Sequence, residues 1–377
     1  MSETTTLLQQ LVAIDSVNPD LVAGGAGEFK IARFVADWLE RAGVEVALDE
    51  VLPGRFNVVG IVRGTGGGRS LLLNAHMDTV GVTGMERPHE PVIEGNRLYG
   101  RGAYDMKGGL AAIMSAAARA KQLALRGDVI ITAVADEEYA SIGTQAIVKK
   151  WHADAAIVTE PTELNLCVAH KGFVWLEIST QGIAAHGSLP HVGRDAIVKM
   201  GHVLVGLEKL NRTLLEHPTS RYLGSGSLHA SLIEGGQELS SYPERCLLQI
   251  ERRTIPGETV EVVEAQIRAI LEQIAAIDPS FLASVRTTLV REAFEVAEDA
   301  TIVQMLKRQV REMLHDEPEM VGNAAWMDSA LLSAAGIPTV IFGPGGTGAH
   351  AIVEWSDLQQ VQRCSDVLVA TLQEFCG

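Results

Sequence analysis

Four short apolar runs in this chain end in side chains of the types that bind metals: SLLLNAHMD at 70–78, VIITAVADEE at 129–138, DAAIVTE at 154–160 and TVIFGPGGTGAH at 339–350. A ligand on the turn after a β-strand lies where open α/β sheets build their sites, because the crevice at the strands' carboxyl ends gathers residues far apart in sequence. His76 and Asp78 stand two apart. On an extended segment they point the same way, so the carboxylate can hold one imidazole nitrogen while the other faces a metal. A strand-end histidine is more often a satisfied turn residue. Asp105 sits between glycines in YGRGAYDMKGG at 99–109. Tight turning there can carry its carboxylate into a crowded site, or the residue can cap the helix that follows. Asp136, Glu137 and Glu138 would ordinarily form a solvated loop, but the run before them is apolar enough for a strand buried on both faces, which delivers them to the crevice. Glu160 and His350 close their runs in the same manner. As a set, His76, Asp105, Glu137, Glu138, Glu160 and His350 offer two imidazoles and enough carboxylates for two divalent ions, with one carboxylate bridging and one left as a base. Mixed imidazole and carboxylate ligation suits Zn(II), and Co(II) or Mn(II) could substitute.

The elements that must position this set show in the hydrophobic periodicity. Ile31, Phe34, Val35, Trp38 and Leu39 recur at helical spacing until Gly43 stops the helix, and RFNVVGIV at 55–62 reads as a strand. The Ala-rich segment 107–123 predicts a helix packed closely on a sheet, followed by a strand near 129–135 and a helix near 142–151. This alternation is an α/β architecture. Between 173 and 291 the pattern changes to about four strands and two long helices, near 194–210 and across ETVEVVEAQIRAILEQI. That segment is expected to be an inserted α+β domain with its helices on one face, leaving 1–172 and 292–377 as a discontinuous first domain.

Composition narrows the class. The length of 377 residues favours two domains, and 47% hydrophobic content suffices for a sizeable core. A formal net charge of -16 argues against nucleic acid, which needs clustered Lys and Arg to neutralise phosphates. MSETTTLLQQ lacks the basic and apolar regions of a secretory signal, and no run approaches the roughly 20 apolar residues of a membrane span. Cys167, Cys246, Cys364 and Cys376 are scattered without framework spacing, as reduced thiols are. A cytoplasmic protein that binds neither nucleic acid nor membrane is expected.

Across essentially its whole length the chain resembles the co-catalytic zinc metallopeptidase and amidohydrolase family that contains acetylornithine deacetylase, succinyl-diaminopimelate desuccinylase, aminoacylase and the glutamate-releasing carboxypeptidases. The resemblance is carried by HMD at 76–78, GRGAYDMKGG at 100–109, ADEE at 135–138, TEPT at 159–162, HKG at 170–172, AAHGSLPHVGRDAI at 184–197, RRTIPGE at 252–258 and GPGGTGAH at 343–350. It implies a zinc-peptidase-like catalytic domain with a central mixed sheet flanked by helices, and a lid domain at 173–291 that also forms a homodimer. By the same resemblance His76 and Glu160 bind one metal, Glu138 and His350 the other, and Asp105 bridges them through a loop whose next peptide bond is cis. Glu137 matches the general acid/base, and Asp78 the acid that orients His76. His186 matches a lid histidine that stabilises the oxyanion, often across the dimer interface; read alone, it is a polar loop residue. Arg253 matches an arginine that grips a substrate carboxylate, a role suited to its planar donors, although Arg252 stands beside it and a surface salt bridge is the alternative. The family's lid asparagine is replaced here by Ser240 in SSYP, a departure at the substrate end. GPGGTG lacks the Lys-Ser/Thr of a phosphate cradle and instead lets backbone approach the substrate at Gly345.

The implied activity is hydrolysis of the amide bond of an N-acyl amino acid. A water shared by two ions would act as hydroxide, its pKa lowered from about 15.7 towards about 7. Glu137 would take the proton and return it to the leaving amine. A dipeptidase or carboxypeptidase would apply the same chemistry to a short peptide, and a metal-poor binding protein on this scaffold is the alternative from another class.

Overall fold

The structure is a computed structural model that describes residues 2–377 and divides into two compact units. One comprises the chain up to Val168 with Val296–Val321 and Met327–Gly377; the other comprises Ala169–Glu295 with Gly322–Trp326.

The first unit is built on a mixed sheet, as expected. Seven of its strands follow one another in the order Glu45–Leu52, Arg55–Val62, Val129–Val134, Leu71–His76, Ala155–Val158, Thr339–Ile341 and Leu166–His170. The two pairings at the start of that order are antiparallel, the next three parallel, and the last antiparallel. Every residue of the three strands at its centre is buried, which explains why they read as continuous apolar runs. Helices cover both faces. Gly60 faces Leu39 of the helix Phe29–Arg41, whereas Asn57, of opposite parity on the same strand, donates to the Gly143 carbonyl in the helix Ile142–Lys150 at 2.9 Å.

Two further features place the site. The helix Gly108–Ala120 lies so close to the sheet that a Cβ on Gly109 would stand 2.1 Å from the Thr159 carbonyl oxygen. A small antiparallel sheet of Gly346–Thr347, Trp355–Asp357, Arg97–Tyr99 and Val92–Glu94 flanks the segments that carry Asp105 and His350.

In the second unit four antiparallel strands run in the order Ser227–Gly235, Arg245–Thr254, Gly172–Gln181 and Leu282–Arg291. Alternate residues Val174, Leu176 and Ile178 join Leu248 and Ile250 in a core with Met200, Val203 and Leu207 of the helix Ala196–Glu216 and Val263, Ile267 and Leu271 of the helix Val260–Ile277. Both helices therefore cover one face of the sheet. All four cysteines are buried and none forms a disulfide, and among the described residues no helix is long and apolar enough to cross a membrane.

Candidate metal centre

Three parallel neighbours set the framework of the site. His76 pairs with Val134 in register, and Asn74 with Val158, so the residues that follow these strands leave the sheet along the same edge. His76, Glu137 with Glu138, and Glu160 leave that edge together. Asp105 arrives from the turn Ala103–Lys107, which opens after Gly102 at φ 79° and whose Asp105–Met106 peptide is cis. His350 comes from the loop beyond Thr339–Ile341 and is the most open of the set, with more than half of its side chain exposed.

The six side chains converge. His76 Nε2 lies 3.2 Å from Asp105 Oδ1, 3.6 Å from Glu160 Oε1 and 4.0 Å from Glu137 Oε2. His350 Nε2 lies 3.0 Å from Glu138 Oε2 and 3.6 Å from Asp105 Oδ2. Asp105 therefore turns one oxygen to each imidazole. Ligand atoms of His76, Glu137 and Glu160 all stand within 4.8 Å of one another, as do those of His76, Asp105 and Glu138. Among the described residues the ion-pair partners of Glu137, Glu138 and Glu160 are these imidazoles.

Crowding of acids in a buried place governs their protonation. Burial, reinforced by the Glu160, Asp328 and Glu138 carboxylates, pushes Glu137 well above the ordinary carboxylate range against the pull of His76. Glu160 is raised in the same direction, first by burial and then by Asp105 and Glu138. Burial alone would lower the His76 imidazole, yet Glu160, Asp105, Glu137 and Asp78 hold it well above its usual value. A cluster in which acids cling to protons and imidazoles attract them favours any divalent cation that can replace those protons.

Asp78 acts differently from the arrangement expected. His76 Nδ1 donates to the Asp78 backbone carbonyl at 2.9 Å, while the Asp78 carboxylate is 3.6 Å away. That carboxylate is engaged elsewhere, accepting from the amides of Glu137 at 3.1 Å and Glu138 at 3.2 Å and from Asn18 Nδ2 at 2.8 Å. The carbonyl fixes the tautomer, so Nε2 is the nitrogen presented to the acids, and the carboxylate fixes the acid turn.

Behind that turn lies a buried network whose partners have no signature in the sequence. Asn18 Nδ2 also donates to Asp136 Oδ1 at 2.9 Å, and Arg55 donates to Asp136 at 3.0 Å and to both oxygens of Glu28 at 2.6 Å. Asp328 is buried with Oδ2 accepting from Thr144 at 2.6 Å. An Asn or Arg at the start of an ordinary strand or loop has no periodic signature, so only the fold identifies these partners.

The remaining expected residues fall elsewhere. His186, Ser240 and Arg253 belong to the second unit. His186 is exposed; its Nδ1 accepts from the Ser188 amide at 3.2 Å, which leaves Nε2 as the protonated nitrogen of the neutral ring. The Ser240 carbonyl accepts from Gly187 at 2.7 Å, bracing the His186 segment. Arg252 is buried and ion-paired with Glu258, whereas Arg253 is partly exposed, paired with Glu251 at 2.7 Å and set over the Phe173 ring. In the first unit, Gly345 is packed against Glu163 and its carbonyl accepts from the Asp357 amide at 2.9 Å.

A family model for peptidase family M20/M25/M40 matches residues 72–374. The chain belongs to that family. An acetylornithine deacetylase of Myxococcus xanthus is 30% identical over the full length of both chains, and an N-formyl-4-amino-5-aminomethyl-2-methylpyrimidine deformylase of Bacillus subtilis is 27% identical over 92% of this chain and 89% of that protein. Among solved structures, aminopeptidase PepT from Bacillus cereus superposes with a TM-score of 0.81 at 19% identity, covering 100% of this chain and 98% of the other. A dinuclear metal binding peptidase of the M20 family from Bacillus subtilis gives 0.78 at 16% identity, covering 99% and 97%. These likenesses show the M20 fold, and membership makes the chain a hydrolase of that family.

Proposed function

We propose that this M20 hydrolase cleaves the amide bond of N-acyl amino acids with a pair of divalent ions, Zn(II) first among them, held by His76, Asp105, Glu138, Glu160 and His350. The observation that carries this reading is Asp105, whose two oxygens face two different imidazoles, each with a glutamate of its own. Bound there, two ions would supply Lewis acidity and lower the pKa of a shared water to near neutrality. His76 and Glu160 serve one position, His350 and Glu138 the other. Glu137, farther from its imidazole than Glu138 is from His350, is the acid/base: it takes the proton of the attacking water and passes it to the leaving amine. Asp78 holds the turn that carries both glutamates.

His186, with a donor free at Nε2, is assigned to the developing oxyanion, and Arg253 to the substrate carboxylate because Arg252 is buried in its own pair. Ser240 and Gly345 are assigned to the substrate through their backbone neighbourhoods. The test is a screen of N-acetyl, N-succinyl and N-formyl amino acids beside dipeptides with Zn(II)-, Co(II)- and Mn(II)-loaded protein. Turnover of an N-acyl amino acid that EDTA abolishes supports the proposal; activity indifferent to chelation sinks it, and cleavage of dipeptides alone reassigns the substrate to peptides.

The chain is further assigned to a homodimer formed through the second unit. Its strand Ser227–Gly235 lies at a sheet edge with Leu232 and Ile233 exposed, beside the helix Ala196–Glu216, which exposes Val198 and Val205. Four buried cysteines, none in a disulfide, accord with the reducing cytoplasm.

A further inference from the structure

Glu354 stands four residues after His350, and its side chain is wholly removed from solvent. Its carboxylate accepts four hydrogen bonds. Oε2 takes one from Arg101 Nη1 at 2.6 Å and one from the Gly102 amide at 3.0 Å; Oε1 takes one from the Tyr104 amide at 3.0 Å and one from the Asp105 amide at 3.1 Å. An ionised carboxylate has about four acceptor positions, so Glu354 has none left for a metal or for proton transfer. Three of the four donors are backbone amides of the turn that ends in Asp105.

That turn needs outside acceptors. Asp105 at φ -114°, ψ 99° and Met106 at φ -129°, ψ 34° depart from helical geometry, and while the Lys107 amide still reaches the Gly102 carbonyl at 2.8 Å, the Tyr104 and Asp105 amides turn to Glu354. Arg101, itself buried, extends the grip: Nη2 donates to the Ala351 carbonyl at 3.0 Å and Nε to the Gly81 carbonyl at 3.2 Å. The Gly100 amide also donates to the Glu354 carbonyl at 3.1 Å. One carboxylate and one guanidinium thus join the loop after Asp78, the turn before Asp105 and the loop that carries His350. His76, by contrast, is held by its strand and by the Asp78 carbonyl, with no part in this clasp.

We propose that Glu354, acting through Arg101, is a positioning residue that fixes the Asp105 carboxylate relative to His350 and so sets the affinity of the half of the centre those two residues share. The inference rests on the reading of Asp105 and His350 as ligands. It makes an asymmetric prediction: Asp105 serves both positions but the clasp also holds the His350 loop, so loosening it weakens the ion at His350 and Glu138 more than the ion at His76 and Glu160.

The test uses full-length Glu354→Gln and Arg101→Lys. In Glu354→Gln one acceptor oxygen becomes an NH2 group facing donors; in Arg101→Lys the charge beside Glu354 remains but the bridge to Ala351 and Gly81 is lost. Hydrogen exchange on the metal-stripped chain should accelerate over 102–105 in Glu354→Gln and stay unchanged over Leu71–His76. Zn(II) titration against a competing chelator should show one of the two ions loosened by about 10- to 100-fold in both variants, the usual cost of losing a partner behind a ligand, with the other loosened markedly less. At limiting Zn(II), kcat should fall with KM unchanged and recover on adding metal. Equal weakening of both ions, or binding and exchange identical to the parent chain, overturns the proposal. Should Glu354→Gln fail to fold, Arg101→Lys decides by the same titration. A parent chain that binds no Zn(II) overturns the proposed function and this inference with it, whereas a parent that binds two and variants that match it overturn this inference alone.

Discussion

Glu137 and Glu138 are neighbours in the chain but not in their partners: Glu138 Oε2 is 3.0 Å from His350, whereas Glu137 Oε2 stands 4.0 Å from His76 and is pushed well up by burial and by three surrounding carboxylates. Glu137→Gln is therefore expected to lower kcat by about 10²- to 10⁴-fold, the usual worth of a general base, while two ions per chain remain by elemental analysis. Loss of an ion in that variant would make Glu137 a ligand instead. Arg55 offers a stability counterpart. It is the cation between Glu28 and Asp136, and its side chain is nearly buried. Arg55→Met should cost about 3–5 kcal/mol, because two buried carboxylates lose their counter-charge. Burial already raises Glu28 above its ordinary value of 4.5 despite Arg55, and without that cation the folded-state value rises further. A carboxyl whose folded pKa exceeds its unfolded one favours the fold when protonated, so the deficit is full at alkaline pH and shrinks as pH falls through the raised value. Denaturant titrations at several pH values check both size and sign. At this scale the sequence shows the six converging side chains, since each closes an apolar run or sits between glycines. It does not show the partners of Glu354, Arg101, Asn18 or Arg55, which lie up to some 250 positions away; even Arg101, inside the quoted GRGAYDMKGG, carries no sign of Glu354.

The helix Gly108–Ala120 and the strand Ala155–Val158 meet at Gly109, and the contact decides where Glu160 stands, since Thr159 precedes it. Gly109→Ala should gain about 1 kcal/mol in helix propensity. Against that, the new Cβ would lie 2.1 Å from the Thr159 carbonyl oxygen and 2.7 Å from its hydroxyl, and overpacking costs about 1–3 kcal/mol while displacing the strand end. The clash wins on these magnitudes. The variant is expected to unfold at lower denaturant and to lose kcat; unchanged midpoint and kcat would show that the helix shifts freely. Elements of this kind are legible because they are buried almost throughout and so read as nearly continuous runs of apolar or small residues: the expected strand at 55–62 is Arg55–Val62, and the Ala-rich segment forms the helix Gly108–Ala120. Periodicity reports burial, not helicity, so the helix expected near 194–210 in fact runs Ala196–Glu216. Its last buried residue is Leu207, and its start is fixed by Asp195 accepting from the amides of Ile197 and Val198. The small sheet beside the site leaves no trace in the sequence, because strands of two or three residues are too short to show a period.

At the scale of the molecule, the second unit's sheet leaves one strand in an unusual condition. Ser227–Gly235 is an edge strand in which Leu232 and Ile233, adjacent residues that point to opposite faces, are 66% and 55% exposed. Exposed apolar edges invite pairing with another chain, and soluble proteins usually blunt them with charge or a covering element. Val198 and Val205 on the neighbouring helix are 60% and 67% exposed, which extends the apolar surface around the edge. An isologous pairing of this edge with its copy would continue the sheet across a two-fold axis and cover the helix side chains as well. A stable interface of that kind buries about 1,200–2,000 Å² in total. Light scattering should therefore return twice the chain mass of 40.4 kDa at micromolar concentration. Leu232→Lys combined with Val205→Glu places one charge on the edge strand and one on the helix, at residues outside the core of the second unit and outside the metal centre. The double variant is expected to run at the single-chain mass with an unchanged melting profile for the first unit's core. A parent chain already at the single-chain mass, or a double variant that stays at twice that mass, would remove this edge as the dimer contact.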